Sequence, residues 1–328
     1  MAWAGIAVSV ACLYIALRGA DFRQVGATLA QAQLWFILPL IAAQVAFYAI
    51  KAFRWRLLLT PIRMTSARSL VPPMMIGFMG NNVLPARLGE LIRMYLGARL
   101  IGVASSQVLA TLVLERMFDV VAVMALFGGG VLVMGNVPGA LLSAGYVAAA
   151  VSVAGILGAA VYAMWTRPML GLAATLTRFL PGRIRGEILR QLELGASGMA
   201  ALRRPRLIAG IVVTSLLQWF LMAACIYVSF LAVDVTVPPA AAFVVLAATV
   251  FGVMIPAAPG FFGTLHLAFV LALTPFDVGD NRAMAAAVFY HIVPYAGVTL
   301  SGLYFVRQTG VRLQQIEREA LQNGARAS

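Results

Sequence analysis

The stretch Asn81-Asn82-Val83-Leu84-Pro85-Ala86-Arg87-Leu88-Gly89-Glu90 is polar, is broken by proline and glycine, and carries both signs of charge. It interrupts an apolar region, Leu70–Leu100, that also holds Pro72, Pro73, Gly77 and Gly80. Around it the chain of 328 residues is 62% hydrophobic and only 11% charged. A soluble domain is about half apolar and about a quarter charged. This chain has too little polar surface to coat a globule, and several of its runs approach or exceed the roughly 18 apolar residues that cross a bilayer core. The composition predicts an all-α polytopic membrane protein. A β-barrel would need short alternating segments, which the sequence lacks.

Continuous apolar runs lie at Ala2–Leu17, Trp35–Leu59, Ser105–Met134, Ala140–Trp165, Leu207–Val233 and Ala283–Val306. A second interrupted region, Ala240–Leu273, is broken by Pro256, Pro259, Gly260 and Gly263. Basic residues give the sides, because cytoplasmic loops collect Lys and Arg. Lys51, Arg54, Arg56, Arg63 and Arg68 form one cluster. Residues from Arg167 to Arg206 form another, and Arg307, Arg312, Arg318 and Arg326 a third. All three are read as cytoplasmic. The connections Gly135–Gly139 and Asp234–Pro239 lack Lys and Arg and are read as external; Arg18 and Arg23 then fall outside, a minor violation.

Both interrupted regions must then enter and return on one side, as hairpins of short helices. An arm such as Leu70–Asn81 is about 18 Å long, past the midplane but short of a span. The two halves mirror each other, one hairpin entering from inside and the other from outside. The expected fold is therefore an inverted-repeat bundle of about six full spans plus two broken or re-entrant helical hairpins. The repeats are 34–135 and 206–307, joined by a cytoplasmic connector at 166–206, in one transmembrane domain over 1–328. The breakers share a spacing, Pro85-x-x-x-Gly89 and Pro259-x-x-x-Gly263. The connector alternates basic and apolar residues; it reads equally as an amphipathic helix on the inner leaflet or as a solvated link.

The net charge of +13 is first a topology signal and second an attraction for anionic lipid headgroups; it does not call for nucleic acid. Cys12 and Cys225 lie in apolar helices and suggest neither a disulfide framework nor a metal site. The first run lacks a basic leader and a cleavage site, and reads as a retained helix. Zinc-protease, phosphate-loop and serine-triad patterns are missing, so no cofactor, metal or catalytic residue is expected. Gly128-Gly129-Gly130 reads as a close-packing helix surface.

Three polar constellations remain. At a hairpin tip, freed backbone groups must face protein or a polar cavity. Pro85 suits the first turn of a new helix, whose positive dipole end then sits at the tip. Arg87 and Glu90 share a face there, Arg93 continues it, and Asn81 and Asn82 cap the helix or line a cavity. A helix N-terminus with an arginine seats a phosphate; an architectural Arg87–Glu90 pair is the plainer alternative. The second constellation is Glu115, Arg116 and Asp119, about ten residues or 15 Å into its run. Charges at that depth face a bundle interior or an aqueous cavity, as functional groups or as an interhelix pair. Within the run, Arg116 can pair with Asp119. The third is the two histidines, His266 just after the second tip and His291 within the last helix. They read as headgroup or proton ligands, or as satisfied interior residues.

Arg54-Trp55, Asn82…Pro85-x-Arg87-x-Gly89-Glu90…Arg93, Glu115-Arg116…Asp119 and Pro256-x-x-Pro259-Gly260-x-x-Gly263 together resemble the flippase-like transmembrane domain of lysylphosphatidylglycerol synthases. That domain is also the N-terminal part of the multiple peptide resistance factor and occurs as stand-alone proteins. The resemblance covers nearly the whole chain and implies lipid translocation between leaflets. Arg87, Glu90, Glu115, Arg116 and Asp119 match its recurrent polar positions. The family often has glutamate where His266 stands and arginine where His291 stands; the joint change suggests that the two are neighbours. The synthases' soluble aminoacyl-transfer domain is absent from these residues, so lipid synthesis is not implied.

The sequence thus suggests a transporter of an anionic phospholipid or polyprenyl phosphate in the bacterial cytoplasmic membrane, with both termini cytoplasmic. Its substrate would meet Asn81, Asn82, Arg87, Glu90, Arg93, Glu115, Arg116, Asp119, His266 and His291. Two alternatives belong to other classes. One is a membrane enzyme using Glu90 or Glu115 as acid or base, and the other is a non-catalytic partner of a lipid-modifying enzyme.

Overall fold

The computed structural model describes residues 10–16, 18, 21–84, 87–134, 139–254 and 258–310. Among these, all regular structure is helical. The helices are α1 (Phe22–Ala30), α2 (Ile37–Leu59), α3 (Ala67–Val83), α4 (Leu88–Ile101), α5 (Ser105–Met134), α6 (Gly139–Met164), α7 (Thr166–Leu176), α8 (Gly182–Gly198), α9 (Pro205–Ala232), α10 (Ala241–Met254), α11 (Thr264–Leu273) and α12 (Asp280–Thr309).

Among the described residues five helical runs are long and apolar enough to cross a membrane: Leu34–Leu59, Ser105–Val133, Pro205–Ala232, Pro259–Phe276 and Asp280–Thr309. A sixth arises if Ala150–Met164 and Thr166–Leu176, which meet at 94°, count as one. The chain is a polytopic α-helical membrane protein. Of the expected first span only 10–16, which is helical, lies within the described residues. Also outside them are Pro85, Pro256, residues 135–138 and the basic residues beyond Gly310.

Both interrupted regions fold as antiparallel helical pairs. In the first, the Ser66 hydroxyl caps α3 by accepting from the Ser69 amide at 3.1 Å, satisfying one of the free donors at a helix start. Small residues then let the arms touch. A Cβ on Gly77 would sit 2.7 Å from the Arg93 Cβ, and one on Gly80 would sit 2.9 Å from the Gly89 Cα. The second pair is α10 with α11, where a Cβ on Gly252 would lie 3.1 Å from the Thr264 carbonyl oxygen. Its tip is tightly turned: Gly260 and Gly263 have φ of 72° and 90°, values that suit glycine. α12 closes against the first hairpin. Asn82 Nδ2 donates to the Tyr295 carbonyl at 3.4 Å and to Thr299 Oγ1 at 3.1 Å, and Gly302 packs on Met75 and Met79.

Two apolar cores flank the site. One gathers Trp55, Leu58, Leu70, Met74, Leu112 and Leu114 around the first hairpin. The other gathers Phe230, Val245, Phe269, Leu273 and the alanines of α12 around the second. The connector forms α7 and α8. Gly198 at the end of α8 docks on Gln107 and Ala110 of α5, and the Tyr162 hydroxyl donates to the Leu192 carbonyl at 2.6 Å. The triple glycine is not a continuous packing surface. Gly128 and Gly129 have open space where a Cβ would stand, and only Gly130 lies against a neighbour, Phe243.

Candidate functional site

A cavity of about 560 Å³ lies between the hairpins. The first hairpin contributes Phe78, Asn81, Asn82, Arg87 and Glu90, and the second contributes Met254, Phe261 and Leu265. Arg116 and Asp119 of α5 and His291 and Tyr295 of α12 complete its polar wall, while leucines and valines of α4, α5 and α10 supply an apolar one. Of the sequence-predicted binding residues, seven line this space: Asn81, Asn82, Arg87, Glu90, Arg116, Asp119 and His291. Arg93, Glu115 and His266 are among neither its polar nor its apolar lining residues.

Arg93 and Glu115 instead belong to a buried ionic network behind the wall. Arg93 Nη1 and Nη2 donate to the two Glu115 oxygens at 2.9 and 2.8 Å. The Trp55 ring lies 4.1 Å from the guanidinium carbon, and its indole N–H donates to Thr111 Oγ1 at 3.2 Å. Lys51 Nζ reaches Glu115 at 2.8 Å and Asp119 at 3.5 Å. Arg54 Nη1 donates to Asp119 Oδ1 at 2.6 Å and to Ser215 Oγ at 2.7 Å. Gln218 and Trp219 of α9 donate to the same Asp119 oxygen at 2.8 and 2.7 Å. Buried charges persist only when paired and hydrogen-bonded in this way.

This network corrects the reading of Lys51 and Arg54 as solvated loop cations. They lie within α2, 2% and 0% exposed, held there by carboxylates on α5. Three cations, Lys51, Arg54 and Arg93, face two carboxylates, so the network carries an excess positive charge next to the cavity. Sequence reading also missed Ser215, Gln218 and Trp219. The available signal was polar residues inside an otherwise apolar run, Leu207–Val233.

At the tip, the alternative of an architectural Arg87–Glu90 pair is not the one formed. Glu90 is bound by Arg116, which also stands 3.7 Å from Asp119. Arg87 occupies the N-cap position of α4 in the left-handed region, with φ of 55° and ψ of 36°. α4 therefore starts at Leu88, just beyond it, and its positive end is at the tip. The Arg87 guanidinium lies over the Phe261 ring at 5.2 Å, which joins the two hairpin tips. Its Nη2 is buried and, among the described residues, has no hydrogen-bond partner.

The two histidines are neighbours, as their joint departure from the family pattern suggested. Their ring centroids are 5.2 Å apart. His291 faces the cavity and His266 stands behind it. Among the described residues no group of three or more histidine, cysteine or acidic side chains is arranged to hold a metal ion.

No curated protein and no solved structure matches this chain. A family model described as the lysylphosphatidylglycerol synthase TM region matches residues 2–302. With its bilayer-length apolar helices and this match over most of its length, the chain is an integral membrane protein that belongs to the lysylphosphatidylglycerol synthase transmembrane family, with a role tied to membrane lipids.

Proposed function

We propose that the protein moves an anionic, phosphate-bearing lipid between membrane leaflets, with the headgroup held in the cavity between the hairpins. The observation that carries this reading is Arg87. A buried guanidinium nitrogen with no hydrogen-bond partner among the described residues, at a helix N-terminus and on a cavity wall, is an open position for an anion. The excess cation of the network behind Asp119 adds an attraction of the same sign. The apolar wall suits the glycerol and acyl part of such a ligand.

Broken helices at matching places in two inverted halves are a known plan for a midplane transport site. The paired hairpins α3–α4 and α10–α11 support assigning 34–135 and 206–307 as those halves. Glu115 is a poor acid or base, since both its oxygens are held by Arg93. Transport thus fits this arrangement better than catalysis does.

The test is leaflet exchange in liposomes that contain purified protein and fluorescent phosphatidylglycerol, a neutral lipid or a polyprenyl phosphate. Faster exchange of the phosphate-bearing anionic lipids, lost in Arg87→Ala, is the expected result. Folded protein that exchanges none of them, with or without a proton gradient, would sink the proposal.

A further inference from the structure

The lipid-site reading uses Arg87 and leaves the chain's only two histidines without a task. His266 of α11 and His291 of α12 are both buried. Phe262 stacks on His266 at 6.1 Å and lies 4.8 Å from His291, and Tyr295 closes the group at 5.8 Å from His291. His291 hydrogen-bonds to the backbone of Gly260. The Nδ1 of His266 is buried and, among the described residues, has no hydrogen-bond partner.

The charged and titratable groups around the pair are few. From α12 come Tyr290 and Tyr295, and across the first hairpin tip Arg87 stands over the neighbouring Phe261. α9 supplies Met222, which accepts from the Tyr290 hydroxyl, and Cys225. The cavity carboxylates are engaged elsewhere, Glu90 with Arg116 and Asp119 with Arg54. Among the described residues no carboxylate pairs with either imidazole. A proton on the pair therefore has no counter-charge among the described residues. An anionic headgroup in the cavity would provide one, because His291 is on the cavity wall.

We infer that His266 and His291 form one proton-binding unit that takes up a proton together with the anionic headgroup, so that anion binding at this site is coupled to proton uptake. This rests on the lipid-site reading and adds a co-ligand to it. Two imidazoles in contact titrate as a unit and do not both charge readily, so about one proton per headgroup is expected. The sign follows from linkage. The complex binds the proton more tightly than the free protein does, so affinity rises as pH falls. The change is on the order of tenfold per pH unit between the pKa of the free pair and the higher pKa of the complex, and it stops on either side of that window.

The experiment is calorimetric titration of the full chain in detergent with short-chain phosphatidylglycerol, at about pH 8 and about pH 6, the range in which imidazoles titrate. Each titration is run in two buffers of different ionisation enthalpy, which gives the number of protons taken up without any mutation. Wild type should take up protons on binding, up to about one per lipid, and bind more tightly at the lower pH. His266→Gln and His291→Gln should lose both effects and bind with pH-independent affinity. Inorganic phosphate in a parallel arm separates the sources. The same proton count with phosphate means that the anion suffices, and a count seen only with lipid means that the chains seat it; both outcomes support the coupling. Lipid binding without proton uptake, or uptake that persists in both variants, overturns this inference and leaves the lipid-site reading standing. No lipid binding at either pH overturns both.

Discussion

Arg93 and Glu115 meet through two parallel hydrogen bonds, 2.9 and 2.8 Å long, between helices that the first hairpin brings together. Neither side chain has an alternative in water, since Arg93 is 1% exposed and Glu115 0%. Removing one partner of such a pair strands the other as a buried charge, which costs about 3–5 kcal/mol. Arg93→Ala and Glu115→Ala should both lower the unfolding temperature in detergent sharply. Arg93→Lys should recover only part of the loss, because an ammonium cannot form the two-point contact. Thermal melts of the three variants that match wild type would remove the structural role assigned to this pair.

Lys51 offers the opposite case. It is buried and paired, yet without it Arg54 and Arg93 still balance Glu115 and Asp119. Lys51→Met keeps the length of the side chain and its packing near Phe47 and Phe78. Its cost in stability should be less than half that of Glu115→Ala, while exchange of anionic lipid slows because the excess cation has gone. A melt as damaged as that of Glu115→Ala, or exchange as fast as wild type, would count against this charge balance.

Gly89 is where the hairpin arms come closest. A Cβ there would overlap the Gly77 carbonyl oxygen and lie 2.6 Å from the Asn81 amide nitrogen. Backbone cannot swing aside as a side chain can, so Gly89→Ala should destabilise by at least the 1–3 kcal/mol or so of an overpacked core. Gly128→Ala, with open space around it, is the matched control and should be neutral or slightly stabilising, as alanine favours helix. Equal folded yields of the two variants in size-exclusion chromatography would contradict the close contact.

Arg87 combines an unusual backbone with a guanidinium whose Nη2 has no hydrogen-bond partner among the described residues. Alanine changes both, whereas glycine accepts the left-handed conformation freely. Arg87→Gly should therefore fold like wild type and still lose anionic-lipid exchange about 10- to 100-fold, the worth of one hydrogen bond to a charged group. Arg87→Lys should recover part of the rate. A fast Arg87→Gly protein would mean that the tip geometry, and not the guanidinium, is what exchange requires.

What the sequence disclosed depended on how local the cause was. Proline and glycine act within a few residues, so the interruptions at Gly77–Gly89 and Pro259–Gly263 pointed directly to the two hairpins. The i,i+3 relation of Arg116 to Asp119 was readable for the same reason. Lys51 and Arg54 were misassigned because their partners lie on α5, separated from them by 61 to 68 residues. Viewed along the chain alone, cations near a helix end look like a topology signal. Glu90 likewise chose Arg116, 26 residues away, over the adjacent Arg87. The histidines were legible as neighbours only because both positions depart together from the family pattern. No spacing rule relates α11 to α12.

The backbone-to-backbone seam of the first hairpin has a mechanical consequence. With Gly77, Gly80 and Gly89 in contact, there is no cushion of side chains between the arms. The pair is a closely packed wedge, pinned by Asn82 to Tyr295 and Thr299 and packed along its arm on Gly302. Arg87 at the tip and His291 on α12 are therefore tied to one another through this seam and the Asn82 contacts, so the two ends of the cavity's polar wall share one support.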